Sequence, residues 1–394
     1  MKRLATLVLL AACHKAGDEP KPAPAPVSAA TTPQPAAPPP RPAPAPPATA
    51  ATEPKPMGGV MPVSGDFKLA DFAFASGEQL HELRIHYMTL GTAKRDAAGH
   101  VTNAVLVMHG TTGSGQQFAR AQFADELFRP GQPLDLTRYY VILPDDIGHG
   151  ASSKPSDGMH AKFPHYGYTD MVEAEHALVV DGLKVDHLRL VMGTSMGCMH
   201  AWMWAEKWPA AMDAAMPLAC APTQIAGRNR EWRKMVADAI RSDPQWNSGE
   251  YTEQPRGALL DASHLMTLAG SSPQADQKRL ATRDAADGAV EKADAEFVAS
   301  HDANDLLYAV ESSRDYDPSG DLERIAAPVL FVNSADDFIN PPELGIAEKM
   351  IKRVRHGKFV LIPASEQTHG HGTHTWAVFW KKELQQLLDA TAPR

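Results

Sequence analysis

The 394-residue sequence has few of the features that mark several protein classes. It contains only three cysteines, which excludes a disulfide-dense scaffold. No stretch reaches 18 consecutive apolar residues, so no segment has the length and hydropathy of a membrane-spanning helix. Lysines and arginines form no cluster and the formal net charge is −9, which excludes nucleic acid as a partner because no extended basic face is available.

The N-terminal residues have the pattern of an export signal. Lys2 and Arg3 precede an apolar stretch at residues 4–10, and the Leu-Ala-Ala-Cys tetrapeptide at 10–13 resembles the lipobox of bacterial lipoproteins. We therefore expect a signal peptide at 1–12 and acylation of Cys13, which would anchor an exported, periplasm-facing protein to the outer membrane. A plain secretory cleavage is the alternative.

A proline-rich segment follows this signal. Residues 20–56 contain 15 of the 33 prolines and no aromatic residue, so they have nothing to bury and predict an extended tether. Together with the lipidated N-terminus, this linker would occupy residues 13–57. The folded part would then run from about residue 60 to residue 394.

Short apolar, β-branched runs alternate with longer helical patterns in the folded part. This alternation predicts an α/β protein with a mostly parallel central sheet that is covered by helices on both faces. Ligands of such sheets bind at the carboxyl ends of the strands. The predicted strands lie at residues 104–108, 139–143, 188–192, 214–218, 329–332 and 359–362.

The strand at 188–192 is followed by Gly-Thr-Ser-Met-Gly at 193–197 and then by a helical pattern. Strand, sharp turn and helix form the context in which a G-x-S-x-G sequence builds a nucleophile elbow, with Ser195 exposed at its apex. The backbone N–H of Met196 would face the same space. An ordinary glycine-rich loop is the alternative.

A second glycine-rich loop, at residues 109–115, follows the first of these strands. It resembles the His-Gly oxyanion loop of α/β-hydrolases, and the resemblance implies that the N–H groups of Thr111 and Met196 bind an oxyanion together. His109 itself is expected to brace this loop.

The same fold implies an acid and then a histidine downstream of the serine. The acid of α/β-hydrolases usually lies four residues before a proline, which selects Asp337 ahead of Pro341 over its neighbour Asp336. A Gly-His dipeptide before the last helix selects His371, and His374 one helical turn later is the fallback.

Two other chemistries compete at these positions. His369, His371 and His374 could supply three imidazoles to a metal, but they lack the carboxylate spacing of H-E-x-x-H sites, so we predict no metal and no cofactor. Cys198 is a rival nucleophile, and a disulfide with Cys220 is the other use of that thiol.

Several segments resemble the homoserine O-acetyltransferase family and its hydrolase relatives. They are residues 87–92, 163–164, 170–172, 193–199, 239–246 and 249–251. The resemblance implies a helical lid at 222–325, inserted between strands six and seven and flanked by core segments at 60–221 and 326–394. Trp232, Arg233 and Tyr251 would line the substrate pocket, and a homodimer through the lid is an option that the sequence leaves open.

Departures from the family count against its transferase activity. Ala237 stands where the family has an arginine for the amino-acid carboxylate, with Arg233 one turn earlier. An exported enzyme would also not meet acetyl-CoA. We therefore predict a serine-dependent acyl hydrolase of a small acyl ester. A homoserine O-acetyltransferase or related acyltransferase is the alternative, and a catalytically silent binding domain is a third hypothesis.

Overall fold

The computed structural model describes residues 54–391, in which eight strands form one sheet. The sheet order is β1-β2-β4-β3-β5-β6-β7-β8, and every pair from β4 to β8 is parallel. The strands are β1 (Val63–Ala73), β2 (Gln79–Leu90), β3 (Ala104–Met108), β4 (Tyr140–Pro144), β5 (Leu190–Thr194), β6 (Ala215–Leu218), β7 (Val329–Ser334) and β8 (Gly357–Ile362).

The parallel strands are those that the apolar runs predict, with ends shifted by one or two residues. Strands β3, β5, β6 and β7 are buried along their whole length, as expected where helices cover both faces of a sheet. Strands β1 and β2 were not predicted. They form an antiparallel edge hairpin, and the many exposed positions of β1 weaken its apolar pattern.

Ten α-helices accompany the sheet in the described residues, besides short 3-10 and π segments. They are α1 (Ala121–Leu127), α2 (Tyr168–Ala177), α3 (Met196–Lys207), α4 (Gly227–Ser242), α5 (Arg256–Ala269), α6 (Pro273–Arg279), α7 (Arg283–Ser300), α8 (Ala303–Glu311), α9 (Ile346–Met350) and α10 (Lys381–Ala390). Two separate apolar clusters lie against the sheet, one containing residues of α2 and α3 and the other residues of α1 and α10. The fold class is therefore the predicted one, a mostly parallel sheet between helices.

Helices α4 to α8 are inserted between β6 and β7 and form the lid. The lid has an apolar core of its own, in which Val236 and Ile240 of α4 meet Leu259 of α5 and Val310 of α8. The lid therefore has a core separate from the two apolar clusters that lie against the sheet.

Cys198 at the start of α3 and Cys220 just after β6 form a disulfide. The sulfur of Cys198 is therefore not available as a nucleophile. The predicted signal peptide, the acylated Cys13 and residues 13–53 of the linker lie outside the described residues. Within residues 54–391, no helix combines the length and the apolar character needed to cross a bilayer.

Candidate active site

Ser195 occupies a strained turn between β5 and α3. Its backbone φ of 56° and ψ of −106° lie in a region that residues other than glycine rarely adopt. A Cβ on Gly193 would lie 2.1 Å from the Gly197 carbonyl oxygen, and one on Gly197 would lie 2.2 Å from that of Met108. Only glycine fits at both positions, so the two glycines allow the tight turn that presents Ser195.

His371 and Asp337 complete a hydrogen-bonded line with Ser195. The Nε2 atom of His371 lies 2.9 Å from the Ser195 Oγ, and its Nδ1 atom lies 3.0 Å from both carboxylate oxygens of Asp337. Asp337 is 2% exposed and also accepts the N–H groups of Ile339 and Asn340. The turn after β7 therefore fixes the carboxylate, which in turn orients the imidazole toward the serine.

The neighbouring Asp336 contacts other groups. Its carboxylate accepts hydrogen bonds from the Ser272 and Thr368 hydroxyls, at 2.7 and 2.8 Å, and from the Gly370 N–H at 3.0 Å. Burial alone would raise the pKa of Asp336, but these bonds and one from Ser334 lower it overall. Asp336 thus ties the histidine loop to the lid.

The two other histidines of that loop are also apart from the serine. His369 stacks on Trp376, with ring centroids 4.0 Å apart. His374 lies edge-on to His371 with centroids 5.0 Å apart, and burial holds the pKa of His374 well below the ordinary histidine value. The structure therefore brings only His371 of the three into contact with Ser195.

The loop after β3 lies beside the serine. A Cβ on Gly110 would be 3.4 Å from the Ser195 Cβ, and the His109 carbonyl oxygen accepts the Gly197 N–H at 2.8 Å. The side chain of Gln117 links this loop to β5. It donates to the Thr194 hydroxyl at 2.9 Å and accepts the Gly110 N–H at 3.2 Å. Gln117 was missed in the sequence, where nothing local distinguishes it.

Met196 directly follows Ser195, and Thr111 lies on the adjoining loop after β3. Met196 is the first residue of α3, so its N–H has no acceptor within the helix. Thr111 follows Gly110 on the adjoining loop, and its hydroxyl is buried without a hydrogen-bond partner in the described part of the chain. The imidazole of His109, which donates from Nδ1 to the Gly110 carbonyl and accepts the Asp146 N–H at Nε2, braces the loop.

The three residues expected in the substrate pocket all lie in the lid. Arg233 is 2% exposed, and its Nη1 atom has no hydrogen-bond partner among residues 54–391. Trp232 donates to Asn229 at 3.2 Å, and the hydroxyl of Tyr251 donates to Asp302 at 2.6 Å, so the polar atoms of both are satisfied within the lid. Of the three, Arg233 alone has a donor atom without a well-placed acceptor, and its guanidinium interacts with the Tyr168 hydroxyl.

A cluster of three buried polar residues adjoins His109 of the loop after β3. Asp146, Glu175 and His200 are each at most 2% exposed, and their ligand-type atoms lie within 4.8 Å of one another. Glu175 accepts hydrogen bonds from His200 at 2.8 Å and from Trp204 at 2.6 Å. Burial raises the pKa of Asp146 to about 8, and that of Glu175 to about 7.

Comparisons with known proteins agree with this architecture. Residues 103–368 match the model of the alpha/beta hydrolase fold. A probable acyltransferase of Methanothermobacter thermautotrophicus is 31% identical over 287 residues, which cover 71% of this chain and 84% of the relative. The homoserine O-acetyltransferase of Pelobacter propionicus is 31% identical over 332 residues, covering 75% and 87%.

A solved structure shows the same fold. The acetylester hydrolase from Corynebacterium glutamicum superposes with a TM-score of 0.73 at 22% sequence identity, covering 84% of this chain and 97% of that one. At this identity the likeness establishes the arrangement of sheet, helices and lid.

Proposed function

Since this chain belongs to the α/β-hydrolase family and is an enzyme of its homoserine-acetyltransferase-like branch, we propose that it is a serine-dependent acyl hydrolase acting through an acyl-enzyme. Its relatives support the coarser statement that the chemistry is acyl transfer, to water or to another acceptor. The observation that carries the proposal is the continuous line of hydrogen bonds from Asp337 through His371 to Ser195.

The first half of the reaction forms the acyl-enzyme. His371 Nε2 takes the proton of the Ser195 hydroxyl while the oxygen attacks the ester carbonyl. Asp337 holds the imidazole with Nδ1 protonated and stabilises its positive form. The N–H groups of Met196 and Thr111 bind the oxyanion, and the alcohol leaves with the proton that His371 carries.

The second half transfers the acyl group to water. His371 takes a proton from a water molecule, which attacks the acyl-enzyme, and returns that proton to Ser195 as the carboxylic acid leaves. Ser195, His371 and Asp337 serve both halves of the reaction. The proposed reaction therefore needs no cofactor.

Water is the proposed acceptor because of where the enzyme would act. The signal pattern and Cys13 support export to the periplasmic side and anchoring to the outer membrane through lipid, where acetyl-CoA is not supplied. The Cys198–Cys220 disulfide also supports an oxidising compartment, since such bonds are rare in reducing cytosol.

Arg233 supports a substrate with a negatively charged group. A buried guanidinium without a carboxylate partner is costly, and a substrate carboxylate bound at Nη1 would remove that cost. Trp232 would provide an apolar wall, because its indole N–H is already bonded. Tyr251, whose hydroxyl is bonded within the lid, would shape the pocket indirectly. We also propose that two copies of the chain could form a homodimer through the lid.

Labelling with a fluorophosphonate probe and hydrolysis of p-nitrophenyl acetate test this function. We expect both in the wild-type protein, and we expect Ser195→Ala to lose the labelling and at least about 10³-fold in kcat. Ser300→Ala, at the exposed end of α7, is the matched control and should behave as the wild type. Labelling that persists in Ser195→Ala would refute the nucleophile.

The acyltransferase alternative is supported by the 31% identity to a homoserine O-acetyltransferase. It predicts thiol release from acetyl-CoA that depends on homoserine. We expect no such release above the hydrolytic background, and a homoserine-dependent rate exceeding ester hydrolysis would establish transfer as the activity.

A further inference from the structure

A line of side-chain hydrogen bonds connects the lid with the carboxylate of Asp337. It begins at two donors on α4, because the Nε of Arg233 and the Nε1 of Trp232 both donate to the Asn229 Oδ1, at 3.1 and 3.2 Å. Asn229 lies one turn earlier on the same helix and is 7% exposed. These two bonds hold the Asn229 Oδ1 toward Trp232 and Arg233, so the Asn229 Nδ2 faces away from them.

The line continues across the boundary between lid and sheet. The Nδ2 of Asn229 donates to the Asn340 Oδ1 at 3.2 Å. The Nδ2 of Asn340 then donates to the Ala219 carbonyl at 3.1 Å and lies 3.4 Å from the Asp337 Oδ2. Asn340 is 9% exposed, and its own backbone N–H donates to the other oxygen of Asp337 at 3.0 Å.

Every donor in this line points from the guanidinium toward the carboxylate. The orientation of the Asn340 amide matters, since turning it over would set its Oδ1 against the Ala219 carbonyl and the Asp337 carboxylate, where every neighbour is an acceptor. The hydrogen bond from Asn229 opposes that reversal. Bonds aligned in one direction in a buried setting also polarise one another, so the positive charge of Arg233 reinforces the donors that reach Asp337.

We propose that Asn229 is a positioning residue that the lid contributes to the reaction. It acts through Asn340, whose amide it holds in the orientation that donates to Asp337. The carboxylate can then hold the His371 imidazole toward Ser195 only while α4 is seated on the sheet. The seating of α4 on the sheet and the orientation of the Asp337 carboxylate are therefore coupled. This inference rests on the proposed function of Ser195, His371 and Asp337.

Asn229→Asp tests the coupling with little change of shape. The new carboxylate still accepts from Arg233 and Trp232, but it cannot donate to the Asn340 Oδ1. We expect kcat for p-nitrophenyl acetate to fall about tenfold, because the Asn340 amide is no longer held in the orientation that donates to Asp337. Asn340→Ala should fall at least as far, and adding Asn229→Asp to it should cost little more, because the two residues act in series.

Asn304→Asp is the matched control. Asn304 is buried in the same lid and accepts from Trp246 at 2.8 Å, but its amide donates to the Gly249 carbonyl and not toward the triad. We expect this variant to lower the melting temperature while keeping kcat near the wild-type value. Equal losses of kcat in Asn229→Asp and Asn304→Asp would overturn the proposal, since general loosening of the lid would explain both.

A spectroscopic readout separates failure of this coupling from failure of the proposed function. The proton that His371 Nδ1 shares with Asp337 should give a downfield NMR resonance, assigned by its loss in His371→Gln. We expect it to shift or broaden in Asn229→Asp and Asn340→Ala and to stay in place in Asn304→Asp, whether or not the protein hydrolyses esters. An unchanged resonance in Asn229→Asp overturns the proposal.

Discussion

The two aspartates after β7 make different contacts, although they are consecutive in the chain. Asp337 faces the His371 imidazole, whereas Asp336 accepts hydrogen bonds from hydroxyls and a backbone N–H of the histidine loop and the lid. The difference arises because successive residues of the turn point in different directions.

Replacing each carboxylate by its amide separates these roles. Asp337→Asn should lower kcat by about 10⁴-fold, since the amide no longer selects the imidazole tautomer that accepts the serine proton. Asp336→Asn should lower kcat by about tenfold or less and reduce the melting temperature, because the histidine loop loses an anionic acceptor. Steady-state kinetics and thermal unfolding of both variants would check this, and a larger kcat loss in Asp336→Asn would reverse the assignment.

Residue types with a local signature could be predicted, and those without one could not. Ser195 is marked by its two glycines and Asp337 by Pro341, so the sequence singled out both. Gln117, Asn229 and Asn340 act through amide hydrogen bonds to residues 77, 111 and 121 positions away in the chain. No spacing within one segment records such contacts, because they form only when segments that are distant in the chain pack together in the fold.

At the scale of the elements, the disulfide ties the first turn of α3 to the loop after β6. It closes a segment with a sequence separation of 22 residues, and both cysteines are at most 1% exposed. Ala219 in that loop accepts the Asn340 amide. The disulfide therefore joins the element that carries Ser195 to the loop that supports the acid.

Removing this cross-link should destabilise the protein. A loop of this length implies a loss of about 3 kcal/mol in the free energy of unfolding on the chain-entropy estimate. We expect Cys198→Ala/Cys220→Ala to show this loss in urea unfolding, and the wild type to approach it in the presence of a phosphine reductant. The double variant itself should not respond to the reductant, and equal stability of the two proteins would contradict the prediction.

The parallel strands were predictable because they are buried on both faces and read as continuous apolar runs. The β1/β2 hairpin was not, since it lies at the edge of the sheet and mixes exposed, half-buried and buried positions. The helices between β6 and β7 follow from their periodicity, but their seating on the sheet depends on contacts such as Asn229 to Asn340.

At the scale of the whole molecule, the buried carboxyl groups make stability depend on pH. Burial raises the pKa of Asp146 to about 8, from 3.8 in an exposed aspartate, so the folded protein keeps a proton that the unfolded chain releases. This contribution to stability is complete below about pH 4 and is lost as the pH rises through about 8. Glu175, with a pKa raised to about 7, acts in the same direction.

We therefore expect the free energy of unfolding to decrease between pH 7 and about 8.5, a range above the ordinary titration of histidine. Asp146→Asn is neutral in both states and should show a shallower decrease. Urea unfolding at a series of pH values measures both slopes. A slope in Asp146→Asn as steep as that of the wild type would show that Asp146 does not hold the proton.

In the proposed reaction every acyl group passes through the Ser195 oxygen on its way to water. The most direct test of this step is intact-protein mass spectrometry after rapid mixing with p-nitrophenyl acetate and acid quenching, followed by peptide mapping. We expect a transient acetyl group on the peptide that contains Ser195, and we expect it to decay in buffer without an added acceptor. Steady release of p-nitrophenol with no acetyl group on that peptide, or with the group on another residue, would contradict it.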